Sequence, residues 1–221
     1  MSVPLYIRLL ADPLRWQLAQ ELAEGDRRVR ELVAAVDQPQ NLVSYHLRQL
    51  RDAGLVIARR SSFDGRDTYY HLDQERCAQA WSEAALHRNP ITPTETSRRV
   101  LFLCTGNSGR SPMAEALLRH RTKGDVTSAG SHPKPLHPNA VRVMAEYGIT
   151  LEHQPTHLDT VHHNRFDLVI SLCDRVREVL PAFPGPPRLV HWSLPEPDNL
   201  SSFRTVAAEL DSRIRYLPKE A

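Results

Sequence analysis

Lysine is almost missing from this chain, which carries it only at Lys123, Lys134 and Lys219, so every lysine-or-arginine position before residue 100 is arginine. No function follows from that bias alone. Cysteine is as scarce: Cys77, Cys104 and Cys173 form an odd set that excludes a disulfide framework and suits reactive thiols in a reducing compartment. No apolar run approaches the roughly 18 residues of a membrane span. The opening Met1-Ser2-Val3-Pro4-Leu5-Tyr6 has no basic segment ahead of a long apolar stretch. The expectation is a cytoplasmic protein that does not engage a membrane. A formal net charge of +2 is too mild to argue for nucleic acid by bulk, so that case has to come from local patterning. There is no internal repeat and no low-complexity tract.

What is present divides in two. A chain of 221 residues has room for two small cores, and the polar, proline-interrupted stretch from His87 to Ser97 breaks the periodicity between them. The expected division is residues 1–87, a linker at 88–97, and residues 98–221.

In the second part, the apolar run Val100-Leu101-Phe102-Leu103 leads into Cys104-Thr105-Gly106-Asn107-Ser108-Gly109-Arg110-Ser111, and a helical pattern follows from Met113. A strand that feeds a short Gly-containing loop into a helix N-terminus gathers backbone N–H groups into one concavity, where the helix dipole favours negative charge. Thr105, Gly106, Asn107, Ser108 and Gly109 are the candidate oxyanion-binding residues. The same field favours thiolate over thiol at Cys104. Arg110 offers a planar fork to two oxygens of a phosphate or arsenate, the Ser111 hydroxyl can hydrogen-bond the sulfur, and Asn107 suits a left-handed turn. Strand-like runs at 99–103, 125–128, 166–172 and 188–191 alternate with helical patterns at 112–121, 137–147, 174–180 and 201–216. That alternation predicts a parallel sheet with helices on both faces.

The loop, the Arg110-Ser111-Pro112-Met113-Ala114-Glu115 that opens the helix, Ser128-Ala129-Gly130, Pro138 to Gly148, Asp167 to Cys173 and His191-Trp192-Ser193 together resemble the low-molecular-weight tyrosine phosphatase superfamily, which includes many arsenate reductases. The resemblance covers residues 98 to 217. It implies Cys104 as nucleophile, Arg110 and the loop amides as stabilisers of the equatorial oxygens, and an acid that protonates the departing oxygen. Water then hydrolyses the adduct in a phosphatase, whereas in a reductase a second thiol attacks the arsenic-bound sulfur and arsenite leaves. Cys173 falls where these reductases keep their first resolving cysteine. His191-Trp192-Ser193-Leu194-Pro195-Glu196-Pro197 resembles their acid loop, with Glu196 where aspartate is usual and Asp198 as the alternative acid. Leu180 and Gly109 stand where relatives often have further cysteines, so the resemblance implies either a Cys104–Cys173 disulfide or a small cellular thiol, with a glutaredoxin- or thioredoxin-like reductant external to the chain. No bound cofactor and no metal are implied.

In the first part, residues 4 to 54 read as consecutive short helices. One runs from Asp12 to Glu24 with Leu14, Leu18 and Leu22 inward, a second from about Arg28 to Val36, and a third from Pro39 to Gly54 with Val43, Leu47 and Leu50 on one face. The opposite face of the third presents Gln40, Asn41, Ser44, Tyr45 and Arg48, side chains that reach base edges or phosphates. His46 lies beside the apolar face and reads as a core histidine. Two extended runs, Leu55 to Arg60 and Thr68 to Leu72, joined through Asp64-Gly65, signal a hairpin that carries Arg59, Arg60 and Arg66 as phosphate contacts.

This α+β winged helix-turn-helix plan, with Gln38-Pro39, Val43-Ser44-Tyr45-His46-Leu47 and Ala53-Gly54-Leu55-Val56, looks like the ArsR-type repressor family over residues 4 to 87. The resemblance implies operator DNA as partner and a homodimer closed by the segment Asp73 to His87, which includes Cys77, Trp81 and Ala84-Ala85. The close cysteine pair of the arsenic sensors in that family is absent, since Glu31 to Val36 occupies its place. Three functions remain open at this point: a repressor fused to an arsenate reductase, a repressor fused to a low-molecular-weight phosphatase, and a transcription factor whose second domain only senses oxyanion.

Overall fold

A computed structural model describes residues 5–83, 98–122 and 124–217, without the side chains of 81–83. The contacts divide the chain into two compact units, Met1–Ile91 and Thr92–Ala221. The expected linker at 88–97 lies outside the described residues, as do Ala84 to His87, and with them part of the expected dimer helix.

The first unit runs α1 (Leu5–Leu10), α2 (Pro13–Glu24), β1 (Arg27–Arg28), α3 (Val29–Val36), α4 (Gln40–Asp52), β2 (Val56–Arg60), β3 (Thr68–Leu72) and α5 (Gln74–Glu83). Asp12 caps α2 by accepting the N–H of Arg15 at 3.0 Å, with Pro13 in the first turn where its missing donor is harmless. Gly54, at φ +74°, ends α4, and its N–H and that of Leu55 return to the carbonyls of Arg51 and Leu50. Leu18, Leu22, Leu32, Val43, Leu47, Leu50, Leu55 and Val56 form the core, and each such side chain contributes about 1.5–3 kcal/mol by its burial.

The hairpin pairs β2 with β3 from Val56↔Leu72 to Arg60↔Thr68. One expectation is corrected. Arg28, read as the start of the second helix, instead forms β1 with Arg27 against Tyr69 and Tyr70 of β3. Arg28 bonds Glu31 and Asp67 and stands over the Tyr69 ring, so pairing across some forty residues sets the local backbone.

The second unit runs β4 (Arg99–Cys104), α6 (Arg110–Arg121), β5 (Asp125–Gly130), α7 (Pro138–Glu146), α8 (Leu158–Val161), β6 (Leu168–Ser171), α9 (Asp174–Arg177), β7 (Arg188–His191) and α10 (Leu200–Arg215). All strands are parallel in the order β5-β4-β6-β7. The central strands β4 and β6 are buried almost throughout, as strands are when helices cover both faces. The helical pattern read over 174–180 stops at Arg177, because Leu180 precedes Pro181 and a residue before proline is driven from the helical region. Chain order reverses between β4 and β6, with β5 on one side and β7 on the other. Such switch points open a crevice at the carboxyl ends of the strands, and Cys104 and Cys173 both lie there.

Candidate active site and nucleic-acid interface

Residues 105–109 carry the chain from β4 into α6. The carbonyls of Thr105, Gly106 and Ser108 accept the N–H groups of His132, Lys134 and His137, each at 2.8 Å. In a trans peptide the next residue's N–H points opposite to the carbonyl, so these bonds turn the amides of Gly106, Asn107 and Gly109 inward. Gly130, at the end of β5, makes the loop's approach to the sheet feasible. A Cβ there would lie 2.7 Å from Thr105 O and 2.8 Å from Asn107 N.

Asn107 organises the loop. Its φ of +43° is left-handed, as its residue type allows. Its backbone N–H donates to Cys104 Sγ at 3.2 Å, and its Nδ2 donates to the hydroxyls of Ser111 and Ser128 at 2.9 Å each. The Oδ1 accepts the Thr156 N–H at 2.7 Å and lies 2.9 Å from His153 Nε2. Because a backbone amide can only donate, Thr156 fixes which end of the Asn107 amide is oxygen, and that in turn places the His153 proton on Nε2. Ser111 receives a bond from Asn107 on its oxygen and lies 3.0 Å from Cys104 Sγ, which leaves its hydroxyl proton for the sulfur.

Behind His153, its Nδ1 is 3.6 Å from Glu115 Oε2, a buried oxygen with no hydrogen-bond partner among the described residues. Burial holds the imidazole below its ordinary titration range, opposed by the Glu115 charge. His153, Glu115 and Ser128 were not singled out as functional from sequence. Ser128 and Glu115 were visible only inside the Ser-Ala-Gly and Arg-Ser-Pro-Met-Ala-Glu resemblance, and His153 reaches the loop through contacts that no local pattern signals.

Arg110 is 6 % exposed. Its Nη1 donates to Leu194 O at 3.0 Å, and its Nη2 is 3.9 Å from Glu196 Oε2. The guanidinium is thus held by the segment 194–196. The Glu196 side chain is 78 % exposed. Asp198 is occupied otherwise: its Oδ1 accepts from Ser202 Oγ and Asn199 Nδ2 at the start of α10. Cys173 is buried, with Sγ 3.3 Å from the Oγ1 of Thr105, the residue next to Cys104.

In the first unit, Gln40, Asn41, Tyr45 and Arg48 are exposed on α4 and Ser44 is half-buried, on the face opposite the buried Val43, Leu47 and Leu50. On the hairpin Arg60 and Arg66 are exposed and Arg59 is half-buried. His46 is buried, 3.7 Å from the Asp12 carboxylate. Cys77 lines an apolar cleft with Tyr6, Ile7, Leu10, Leu55 and Ala80. Burial, reinforced by the Asp73 charge, raises its thiol to about 11, which disfavours the thiolate that a soft metal needs. No group of metal-ligating side chains occurs among the described residues, and no described helix is long and apolar enough to cross a membrane.

A cysteine set in an oxyanion cradle at the switch point of a parallel sheet places the second unit among the thiol-dependent, phosphate-handling α/β folds. Residues 99–221 match the low molecular weight phosphotyrosine protein phosphatase family, and the chain belongs to it. Residues 12–58 match the arsR family of bacterial regulatory proteins. The chain is 37% identical over 126 residues to an arsenate reductase of Bacillus cereus (strain Q1), a match that spans 55% of this chain and 94% of that protein. An arsenate reductase of Brevibacillus brevis (strain 47) is 36% identical over 126 residues with the same coverage. Among solved structures, the arsenate reductase of Archaeoglobus fulgidus DSM 4304 is 28% identical, with 54% of this chain and 98% of that one covered and a TM-score of 0.48.

Proposed function

We propose that this protein is a DNA-binding transcriptional repressor fused to a thiol-dependent arsenate reductase, acting in the cytoplasm as a dimer formed through residues 1–87. The observation that carries the enzymatic half is the second buried thiol, Cys173, 3.3 Å from the side chain adjoining Cys104. Relatives named arsenate reductases over 94% of their length support it. Hydrolysis of a thiol ester needs water and no second thiol.

The Cys104 thiolate attacks arsenic, the amides of residues 106–109 and Arg110 hold the equatorial oxygens, and Glu196 protonates the departing oxygen, which leaves as water. Cys173, as thiolate, then attacks Cys104 Sγ. The S–As bond breaks and its electron pair stays on arsenic, so As(V) becomes As(III), arsenite departs and the Cys104–Cys173 disulfide forms. An external thiol or a thioredoxin- or glutaredoxin-like protein returns the disulfide to two thiols.

For the repressor half, the arsR match and the polar face of α4 support Gln40, Asn41, Ser44, Tyr45 and Arg48 as the groove-facing set, with Arg59, Arg60 and Arg66 on phosphate. The purified chain, given arsenate with several thiol systems or an aryl phosphate, tests the enzyme. Arsenite release that depends on Cys104 and Cys173 is expected. Aryl phosphate turnover without arsenite release would make it a phosphatase, and tight arsenate binding with neither activity would make it a sensor.

A further inference from the structure

The segment that delivers Cys173 and the segment that delivers the acid meet at a buried polar contact that the reaction sequence leaves unused. Asp174 directly follows Cys173 and is 2 % exposed; His191 closes β7, just before Trp192, and is 6 % exposed. His191 Nε2 lies 3.1 Å from Asp174 Oδ1. Its Nδ1 lies 2.8 Å from Ser171 Oγ and 3.2 Å from Ser171 O. One imidazole therefore bonds the chain on both sides of Leu172-Cys173.

Removing a carboxylate from water is strongly unfavourable unless it is paired and hydrogen-bonded, and apolar residues of like volume commonly pack such a place as stably. A polar contact kept there specifies position. Three further bonds show what it positions. Leu172 N–H donates to Leu103 O at 2.7 Å and Trp192 N–H donates to Ser171 O at 2.8 Å, which align β4, β6 and β7 at their ends. Beyond that alignment, Cys173 Sγ meets Thr105 Oγ1.

We propose that His191 and Asp174 are positioning residues for thiol exchange, with the imidazole bracketing Cys173 so that its sulfur stays within reach of the Cys104 adduct. The inference rests on the reading of Cys173 as the resolving thiol. Attack on Cys104 Sγ has to come opposite the S–As bond, and a displacement of about 1 Å in such an approach lowers rates by about 10²-fold.

The test uses the full chain and two readouts. Single-turnover formation of the Cys104–Cys173 disulfide after arsenate addition, without external thiol, reports exchange. Alkylation of Cys104 by iodoacetamide and its protection by phosphate report the nucleophile and the cradle alone. His191→Ala and Asp174→Ala should slow disulfide formation by about 10- to 100-fold while Cys104 alkylation and phosphate protection stay unchanged. His191→Gln, which keeps a donor towards Asp174, should recover much of the rate. Should the alanine variants not fold, Asp174→Asn, of equal volume and with one acceptor oxygen, carries the same comparison. Parallel loss of both readouts would reduce the pair to a structural role, and an unchanged exchange rate would overturn the proposal outright. If the unaltered chain forms no disulfide on arsenate, the assignment of Cys173 fails and this inference falls with it. A normal disulfide rate that ignores His191 sinks the positioning role alone.

Discussion

The backbone N–H of Asn107 points at Cys104 Sγ across 3.2 Å. That bond closes a turn of the chain around the sulfur, and the side chain of the same asparagine fixes Ser111, the other group that faces it. Asn107 therefore places both its own N–H and the Ser111 hydroxyl against the sulfur, and the chemistry proposed for the loop can be probed separately from its shape.

Cys104→Ser should abolish arsenite release and leave arsenate binding largely in place, because the inward amides and Arg110 survive. Arg110→Lys should lose both, since a point charge replaces a fork anchored on Leu194 O. Isothermal titration with arsenate beside a turnover assay separates the two. Normal turnover by the serine variant would end the nucleophile assignment.

At pH 7, Glu196→Gln should slow the first chemical step by roughly 10²–10⁴-fold. Asp198→Asn should instead affect the start of α10, where Asp198 accepts from Ser202 and Asn199, at about 1 kcal/mol of stability. Rapid-quench measurement of the adduct, paired with thermal melts, checks both; a crippled Asp198→Asn beside a normal Glu196→Gln would reverse the carboxylates.

His153 is held below the ordinary histidine value of about 6.5. The unfolded chain then takes up the proton at a higher pH than the folded chain, so stability present above the unfolded value is lost as pH falls from there through the folded value. His153→Gln keeps a donor towards Asn107 Oδ1 and removes the titration. Denaturant melts between about pH 5 and 7 should show a shallower loss of stability in acid for this variant, and identical slopes would remove His153 from the account.

Arg60→Ala should weaken binding to every DNA sequence and make the salt slope shallower by nearly one unit, as about 0.9 counterion is released per phosphate contact. Asn41→Ala and Arg48→Ala should instead narrow the gap between operator and scrambled DNA, by about 1–3 kcal/mol per bidentate base contact. Gel shifts of the full chain over a salt series measure both. An absence of salt-dependent binding would leave the first unit as a dimerisation module.

The parts legible in the sequence were those that short-range chemistry determines. Asp12 and Gly54 mark helix ends because capping is local, Asp64-Gly65 marks the hairpin because a turn that returns the Asp67 N–H to Asp64 O lies within the connection 61–67, and the Cys104 loop carries its strand, turn and helix within a few residues. What escaped depends on distance along the chain. Leu194 holds Arg110 from 84 residues away, and Thr156 fixes the Asn107 amide from 49 residues away. The two-residue β1 exists only because Tyr69 and Tyr70 are there to pair with it, and α8 is a single turn too short for any periodicity. The division at residues 87 and 98 was read from prolines and polarity, and no described contact bears on it.

Gly130 lies against the main chain of the cradle, where a Cβ would meet Thr105 O, Asn107 N and Asn107 Cβ. Two of those three atoms belong to the polypeptide itself, which no second substitution can shorten. A search for variants that accept larger oxyanions should find position 130 closed to every side chain and unrescuable by neighbouring changes. Any widening of specificity has to come from exposed side chains such as Glu196, 3.9 Å from Arg110 Nη2, where a substitution leaves the main chain of the cradle as it is.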